Sequence, residues 1–302
     1  MSTLRLASAP CTWGVWERTV GRDDLIPPDL MLETVRGLGY TGIELGPPGY
    51  FGDDADSVLR TLEPYGLALV GAFAPLRIAD EDRFRDDLAF LDRTIAILAA
   101  TGAKGPVVLA GDENETRLRV AGRPDATRGT SLRGEELKRA AGRVQAAAQR
   151  ALAAGVPAAF HPHTATYVES PEEVAALLAA TDPAVVKIAF DTGHCIVGGG
   201  DPVAFVREHG DRIAHLHLKD VDPSVLARVR SQELTVEEAW EQGLFCEFGT
   251  GAVDFPAVLG ELDGFSGWAV VEQDRVAVRV DDLPGVRAVE ERNLAALGKG
   301  VG

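Results

Sequence analysis

Val185-Val186-Lys187-Ile188-Ala189-Phe190-Asp191-Thr192-Gly193-His194 passes from an apolar run to ionisable groups within a few residues. The run reads as a strand buried on both faces, and Asp191 stands where that strand must emerge into a loop. Gly193 lets the chain turn so that His194 can point back toward the carboxylate. Taken alone, the stretch fits equally well a strand that delivers chemistry to its own end and an aspartate that only caps a turn with a histidine to satisfy it. The rest of the chain has to decide between the two.

On either side of this stretch one unit repeats: a short apolar run, a loop with Gly or Pro, then an amphipathic helix. Upstream, the helix Glu135 to Ala154 stops at Gly155, a C-terminal cap, and the strand Val156 to Phe160 ends in His161-Pro162-His163. Ser170-Pro171-Glu172-Glu173 is a capping-box sequence that opens the next helix. Downstream lie a helix over Pro202 to His209 and a strand over Ile213 to Leu218, with His215, His217 and Lys219 on alternate positions. Trp268 to Val271 is a last strand, ending at Glu272 and followed by a helix over about Pro284 to Leu297. In the first half, strands are expected at Leu4 to Ala7, Thr41 to Leu45, Ala68 to Ala72 and Pro106 to Leu109. Helices follow at about Pro28 to Leu38, Asp54 to Pro64 and Asp82 to Ala100, the last with apolar spacing at Phe84, Leu88, Leu91, Ile95 and Leu98. Glu44 precedes Gly46-Pro47-Pro48-Gly49, which can be neither helix nor central strand.

Eight strand-helix alternations in 302 residues fit an α/β fold of the (β/α)8 type, a TIM barrel, better than a doubly wound sheet. The expectation is one domain over residues 1–302 with two insertions, at about 110–134 and 221–248. The first insertion is polar, with Asp112-Glu113-Asn114-Glu115 and several arginines but no apolar period, and reads as an exposed loop, a lid or a contact surface. The second holds a helix near Val236 to Gln242. Their lengths suit substrate-specific loops or a contact between copies in a homo-oligomer.

Composition narrows the partners. A formal charge of -16 repels phosphate backbones and anionic membrane surfaces, which argues against nucleic acid and membrane and for a small neutral ligand or a bound cation. Cys11, Cys195 and Cys246 have neither zinc-site spacing nor an even count, and read as reduced thiols. Met1-Ser2-Thr3-Leu4-Arg5-Leu6 lacks the form of a signal sequence, and no stretch approaches a membrane span. A cytoplasmic protein is expected.

In a barrel of this kind chemistry sits at the C-terminal ends of the strands, and strand residues alternate between faces. Val186, Ile188 and Phe190 then face the helices while Lys187, Ala189 and Asp191 face the barrel axis. Ile213, His215, His217 and Lys219 share one face of the next strand, and Val270 pairs with Glu272 on the last. Four groups converge at strand ends: His161, Asp191, His217 and Glu272. Two imidazoles and two carboxylates suit a divalent transition ion, either manganese, cobalt, iron or zinc, with magnesium less suited. The alternative is a buried charge network without metal; the cost of burying so many ionisable groups without a cation stands against it.

These residues carry a resemblance. The chain resembles the xylose-isomerase-like sugar isomerase and epimerase superfamily and, within it, the inosose (2-keto-myo-inositol) dehydratases. The matching motifs are Phe160-His161-Pro162-His163, Asp191-Thr192-Gly193-His194, His215-Leu216-His217-Leu218-Lys219-Asp220, Gly249-Thr250-Gly251 with Val253-Asp254-Phe255, and Trp268-Ala269-Val270-Val271-Glu272. Thr12-Trp13-Gly14 and Gly39-Tyr40-Thr41-Gly42-Ile43-Glu44 match more loosely. The resemblance implies metal ligands at Asp191, His217 and Glu272. The epimerases end their fifth strand in a glutamate, and here His161 stands in its place. Epimerisation there uses two opposed glutamates, so the substitution implies one-sided proton abstraction followed by loss of hydroxide.

The expected reaction is therefore elimination of water from a keto-polyol such as 2-keto-myo-inositol, with Mn2+ or Co2+ as first choices among Zn2+, Fe2+ and Mg2+. Glu272 is the expected base, and His194 and Lys219 donate to the leaving hydroxyl or the enolate oxygen. His163 and Glu44 are expected on substrate hydroxyls, and Trp13, with Trp16 and Phe73, on the face of the ring. Lys219 could equally pair with Asp220 or a loop carboxylate, His163 could support a ligand, and the aromatics could be core. His209 and His215 read as structural. The competing functions are a sugar isomerase or epimerase acting on a ketose, elimination from an oxidised glycoside, and a non-catalytic metal-binding subunit. An apurinic endonuclease would need more ligands and a basic groove.

Overall fold

A computed structural model describes residues 4–298 other than 112, 263 and 277. Met1 to Thr3 and Asp112, used above in reading the N-terminus and the first insertion, lie outside the described residues.

The strands are β1 (Arg5–Ser8), β2 (Gly42–Ile43), β3 (Ala68–Leu69), β4 (Ala72–Leu76), β5 (Val107–Gly111), β6 (Ala158–His161), β7 (Lys187–Asp191), β8 (Ile213–Leu218), β9 (Asp220–Val221), β10 (Phe245–Cys246) and β11 (Trp268–Val271). One parallel sheet runs in the order β3-β2-β1-β11-β8-β7-β6-β5-β4. Its two ends, β3 and β4, are the halves of the single strand expected over Ala68 to Ala72. The break at Val70-Gly71 hands the strand from one neighbour to the other: Leu45 N donates to Gly71 O at 2.9 Å, and Ala72 N donates to Pro106 O at 3.3 Å. The sheet thus closes into the expected (β/α)8 barrel.

The alternation of faces holds. Ile188, Phe190, Leu216, Leu218, Ala269 and Val271 belong to the large core shared with the surrounding helices, whereas Val108, Ala159 and Ala189 form a small cluster on the axis. Helix Pro171–Ala179 begins with the expected capping box, in which Ser170 and Glu173 satisfy each other's backbone. Helix Pro202–His209 begins at Asp201, whose side chain accepts from Val203 N and Ala204 N.

The exposed-loop reading of the first insertion is corrected. It folds into short helices, Glu115–Leu118 and Pro124–Thr127, and Arg117 within it is fully buried. Arg117 meets both oxygens of Glu173 at 2.9 Å, a bidentate pair that a search for apolar periodicity does not detect. The second insertion gains a helix, Pro223–Arg230, besides the expected one at Val236–Glu241. Ala121 from the first insertion packs with Val225, Leu226, Val229, Val236, Leu244 and Phe245 from the second, forming a separate core. The two insertions are therefore one cap, seated over the strand ends of their own chain.

Candidate active site

The strands deliver their terminal side chains to one point. Asp191 lies beside His217 in the β7–β8 register, and His217 beside Val270 in the β8–β11 register. A register shift between Ile188 and Ala189 is what aligns Asp191 with His217 rather than with Leu216. His217 Nδ1 is 3.3 Å from Glu272 Oε2 and 3.9 Å from Asp191 Oδ2. The His161 ring lies 4.9 Å from that of His217, between centroids.

Asp191 caps a helix with one carboxylate oxygen and turns the other toward His217. Its Oδ1 accepts from His194 N at 2.8 Å and caps a short helix, Thr192–Val197, which the sequence reading did not contain. Its Oδ2 is buried without a hydrogen-bond partner among the described residues, and so is His217 Nδ1. Both atoms have only ion-pair contacts, Asp191 Oδ2 with Lys219 Nζ at 3.3 Å and His217 Nδ1 with Glu272 Oε2 at 3.3 Å, and they face each other as a pair that a cation could bind together. The ligand atoms of His161, Asp191 and His217 all lie within 4.8 Å of one another. Together with Glu272 they form a nitrogen and oxygen set that fits a divalent transition ion.

The histidines are oriented from behind. His161 Nδ1 bonds to Ala189 O at 3.1 Å, leaving Nε2 for the site. His217 Nε2 and His215 Nε2 both donate to Glu44 Oε1, at 3.2 and 2.8 Å. A carboxylate behind a histidine fixes its tautomer and leaves the other nitrogen basic. Glu44 is thus a buried support for His217, although it also borders the cavity, and His215 is part of the same support. Gly71 makes this arrangement fit, because a Cβ there would lie 2.8 Å from Glu44 Oε1.

Lys219 Nζ sits among three carboxylates: Asp191 Oδ2 at 3.3 Å, Glu272 Oε2 at 3.1 Å and Asp274 Oδ2 at 3.0 Å. Its stem crosses Gly193, where a Cβ would meet it at 2.9 Å, and its head lies over the Phe245 ring. Asp220, considered above as a partner for Lys219, instead accepts backbone N–H groups of Val221, Gly249, Gly251 and Val253.

Burial opposes charge throughout the site. It pushes Lys219 down, but Asp191, Asp274 and Glu272 outweigh it and hold the ammonium well above its ordinary range. Burial likewise raises Glu272 and Glu44, yet His217 and Lys219 bring Glu272 well below the usual carboxylate range, and His217 and His215 bring Glu44 to about 2. Burial dominates elsewhere, lifting Asp274 to about 6 and lowering His163 to about 4.

A cavity of about 500 Å³ opens over these groups, bordered by His161, His163, His217, Lys219, Glu272 and Asp274. Trp16, Phe73, Phe90 and Trp240 supply apolar walls, Trp240 coming from the cap. The expectation for Trp13 is corrected: it is fully buried in the core with Nε1 on Ser8 Oγ at 3.0 Å, and Trp16 takes the wall position. His194 is set behind Lys219, with Nε2 3.3 Å from Nζ and Nδ1 2.8 Å from Thr164 Oγ1, so it is not in the cavity wall. His163 is in the wall, its Nδ1 held by Thr164 O at 2.8 Å.

The sequence reading missed Asp274, Cys11 and Glu113. Asp274 continues the alternation Val270, Glu272, Asp274 beyond the strand end, so the same period of two could have found it. Cys11 Sγ, 3.5 Å from Glu272 Oε1, comes from the single 3-10 turn Pro10–Trp13, and Glu113 from the segment just before helix Glu115–Leu118, neither of which has an apolar period.

A family model described as a xylose isomerase-like TIM barrel matches residues 32–292. The chain is 33% identical to the rhizopine catabolism protein MocC of Rhizobium meliloti, over 100% of this chain and 91% of that one. It is 30% identical to an inosose dehydratase of Geobacillus kaustophilus, over 91% of this chain and 89% of that one. Among solved structures, the IOLI protein with a bound zinc atom superposes with a TM-score of 0.71 at 18% identity, covering 98% of each chain.

Proposed function

This chain belongs to the xylose isomerase-like TIM-barrel family, and on that premise we propose that it is a divalent-metal-dependent dehydratase removing water from a cyclic keto-polyol such as 2-keto-myo-inositol. His161, Asp191, His217 and Glu272 would hold the ion, with Mn2+ or Co2+ the first choices for two imidazoles and two carboxylates. Bound there, the ion supplies Lewis-acid charge toward the ketone oxygen.

The observation that carries the reading is the pair Glu272 and Lys219, a carboxylate and an ammonium 3.1 Å apart on the cavity floor. Glu272 takes the proton from the carbon beside the ketone. Lys219, kept protonated by its carboxylate neighbours, donates to the departing hydroxyl. His163 bonds a ring hydroxyl from the wall, while Trp16 and Trp240 shield the ring from water. The relative named inosose dehydratase supports this substrate class, and so does the imidazole of His161 where a second carboxylate base would otherwise stand.

Incubating the manganese-loaded protein with 2-keto-myo-inositol tests the reading through the ultraviolet absorbance of the unsaturated ketone. A ketose isomerised without that absorbance would instead favour the isomerase or epimerase reading. Glu113, 3.8 Å from His163, is the carboxylate placed to act as a second base in that case.

A further inference from the structure

We propose that the cavity holds a second, apolar subsite beside the metal-binding floor, and that the keto-polyol it takes carries an aryl group on the carbon opposite the ketone. The inference takes its reacting ring from the dehydratase reading above and names the substrate more closely. Its basis is how the strand order divides the cavity wall. On one side β6, β8 and β11 supply His161, His217 and Glu272. The arc that runs from β5 through β4 and β2 to β1 supplies Gly111, Phe73, Pro75, Pro47, Pro10 and Ala9 to the same cavity.

Among the described residues lining that second arc, the hydrogen-bonding side chains are already engaged or stand at the mouth. Glu44 Oε1 is turned to His215 and His217, and Cys11 Sγ to Glu272. Glu17, Arg18 and Glu113 belong to loops above the strands and are exposed. Trp16 has spent its indole N–H on Arg275 O at 2.9 Å, so the cavity meets an apolar ring there.

The cavity also reaches deeper on this side. In the β4–β5–β6 register Phe73 lies beside Val108 and Val108 beside Ala159, one layer below Pro75, Ala110 and His161. Val108 and Ala159 are fully buried on the axis. Phe73 faces the same axis yet is 37% exposed. Inward side chains of such a barrel are normally packed in layers, so an exposed one marks an open slot beside it. Phe90, from the helix Glu81–Thr101 that follows β4, borders the same cavity.

Size and polarity then select the occupant. The cavity measures about 500 Å³. The twelve heavy atoms of a six-membered keto-polyol, each given no more than the ~30 Å³ of a water molecule in the liquid, fill at most about 360 Å³. With its ketone on the polar floor, the ring turns its opposite carbon toward Phe73 and Phe90. Sugar hydroxyls buried against that wall would lose their water without gaining partners, a cost that excludes a second sugar ring. A flat apolar ring loses nothing there and packs against aromatic walls.

Titration calorimetry of the manganese-loaded protein tests this with myo-inositol, its phenyl ether and its β-glucoside, both substituted at the carbon that stands opposite the ketone in the oxidised compound. None of the three has a ketone, so they bind without reacting. The phenyl ether is expected to bind at least ~10-fold more tightly than myo-inositol, and the glucoside no more tightly than myo-inositol. Phe73→Ser and Phe90→Ser should each remove most of the phenyl ether's advantage, and a manganese-dependent rise in Tm shows that each variant is folded. A phenyl ether that binds no better than myo-inositol, or an advantage undiminished in both variants, overturns the subsite; a glucoside that binds as tightly as the phenyl ether overturns its aryl character. The three matching ketones, followed by enone absorbance, test the dehydratase reading separately. The expected binding order with no absorbance from any ketone overturns that reading while the aryl subsite stands.

Discussion

Glu44 and His217 are 173 residues apart in sequence, and His217 Nε2 donates to Glu44 Oε1 across 3.2 Å in the barrel. The same oxygen accepts from His215 Nε2 at 2.8 Å. One carboxylate just beyond β2 therefore sets two imidazoles on β8, and it sets His217 with Nδ1 facing Asp191 and Glu272. Replacing Glu44 by Ala should weaken manganese binding by about 10–100-fold, the usual effect of losing the support behind a metal-binding histidine. Isothermal titration of the two proteins with manganese decides it; an unchanged Kd would mean that Glu44 does not orient His217.

Gly71→Ala probes the same relationship from the other side. A Cβ at this position would lie 2.8 Å from Glu44 Oε1 and 3.5 Å from His215 Nε2. Overpacking of this kind costs about 1–3 kcal/mol. Denaturant unfolding should register that loss, and manganese affinity should fall along with it as Glu44 is displaced.

Asp191 Oδ2 and His217 Nδ1 are buried without hydrogen-bond partners among the described residues, so a cation that binds them should stabilise the fold. At manganese one hundred times its Kd the gain is about 2.7 kcal/mol, visible as a rise in Tm that EDTA reverses. Asp191→Asn, His217→Gln and Glu272→Gln should each abolish most of that rise. A rise of full size in all three would place the ion elsewhere.

Arg117 joins the cap to the barrel through Glu173, with Glu169 at 4.0 Å. Arg117→Met leaves buried carboxylates without their cation, a change that costs about 3–5 kcal/mol. Hydrogen exchange should accelerate in residues 113–134 and 221–248 before it does in the barrel strands. Uniform acceleration across the chain would show that cap and barrel open together.

Glu169 makes that joint sensitive to pH. Its oxygens accept from Gly122 N and Ala165 N at 2.8 and 2.7 Å, but Arg117 is already neutralised by Glu173, and burial pushes Glu169 from 4.5 up to about 7. The folded protein thus keeps a proton that the unfolded chain gives up near pH 4.5. The stability this contributes is present below about pH 4.5 and is lost as pH rises through about 7. Glu169→Gln, neutral at every pH, should flatten the dependence of unfolding free energy on pH across that window. An identical slope in both proteins would rule out Glu169 as its source.

Much of this was legible in the sequence because it depends on periodicity. The apolar alternation in Lys187–Asp191 and Ile213–Leu218 marks which side chains face the axis, and capping signals such as Ser170 to Glu173 mark where helices begin. Counting the repeats gives the barrel, and the barrel places His161, Asp191, His217 and Glu272 at one end. Those inferences need only local backbone geometry, which the local sequence dictates.

What the tertiary structure alone decided are relationships between segments far apart in the chain. The register shift that sets Asp191 beside His217, the break at Val70-Gly71 that closes the barrel, and the hold of Glu44 on two histidines leave no periodic trace. Trp13 and Trp16 are alike in sequence context, and only packing sends one to the core and the other to the cavity wall. The first insertion looked like an exposed loop because its burial rests on a bidentate ion pair and on apolar residues contributed by two separate segments. Sequence specifies what each strand presents; the distances between strands, which gather Asp191, Glu272 and Asp274 around Lys219, exist only once the barrel has closed.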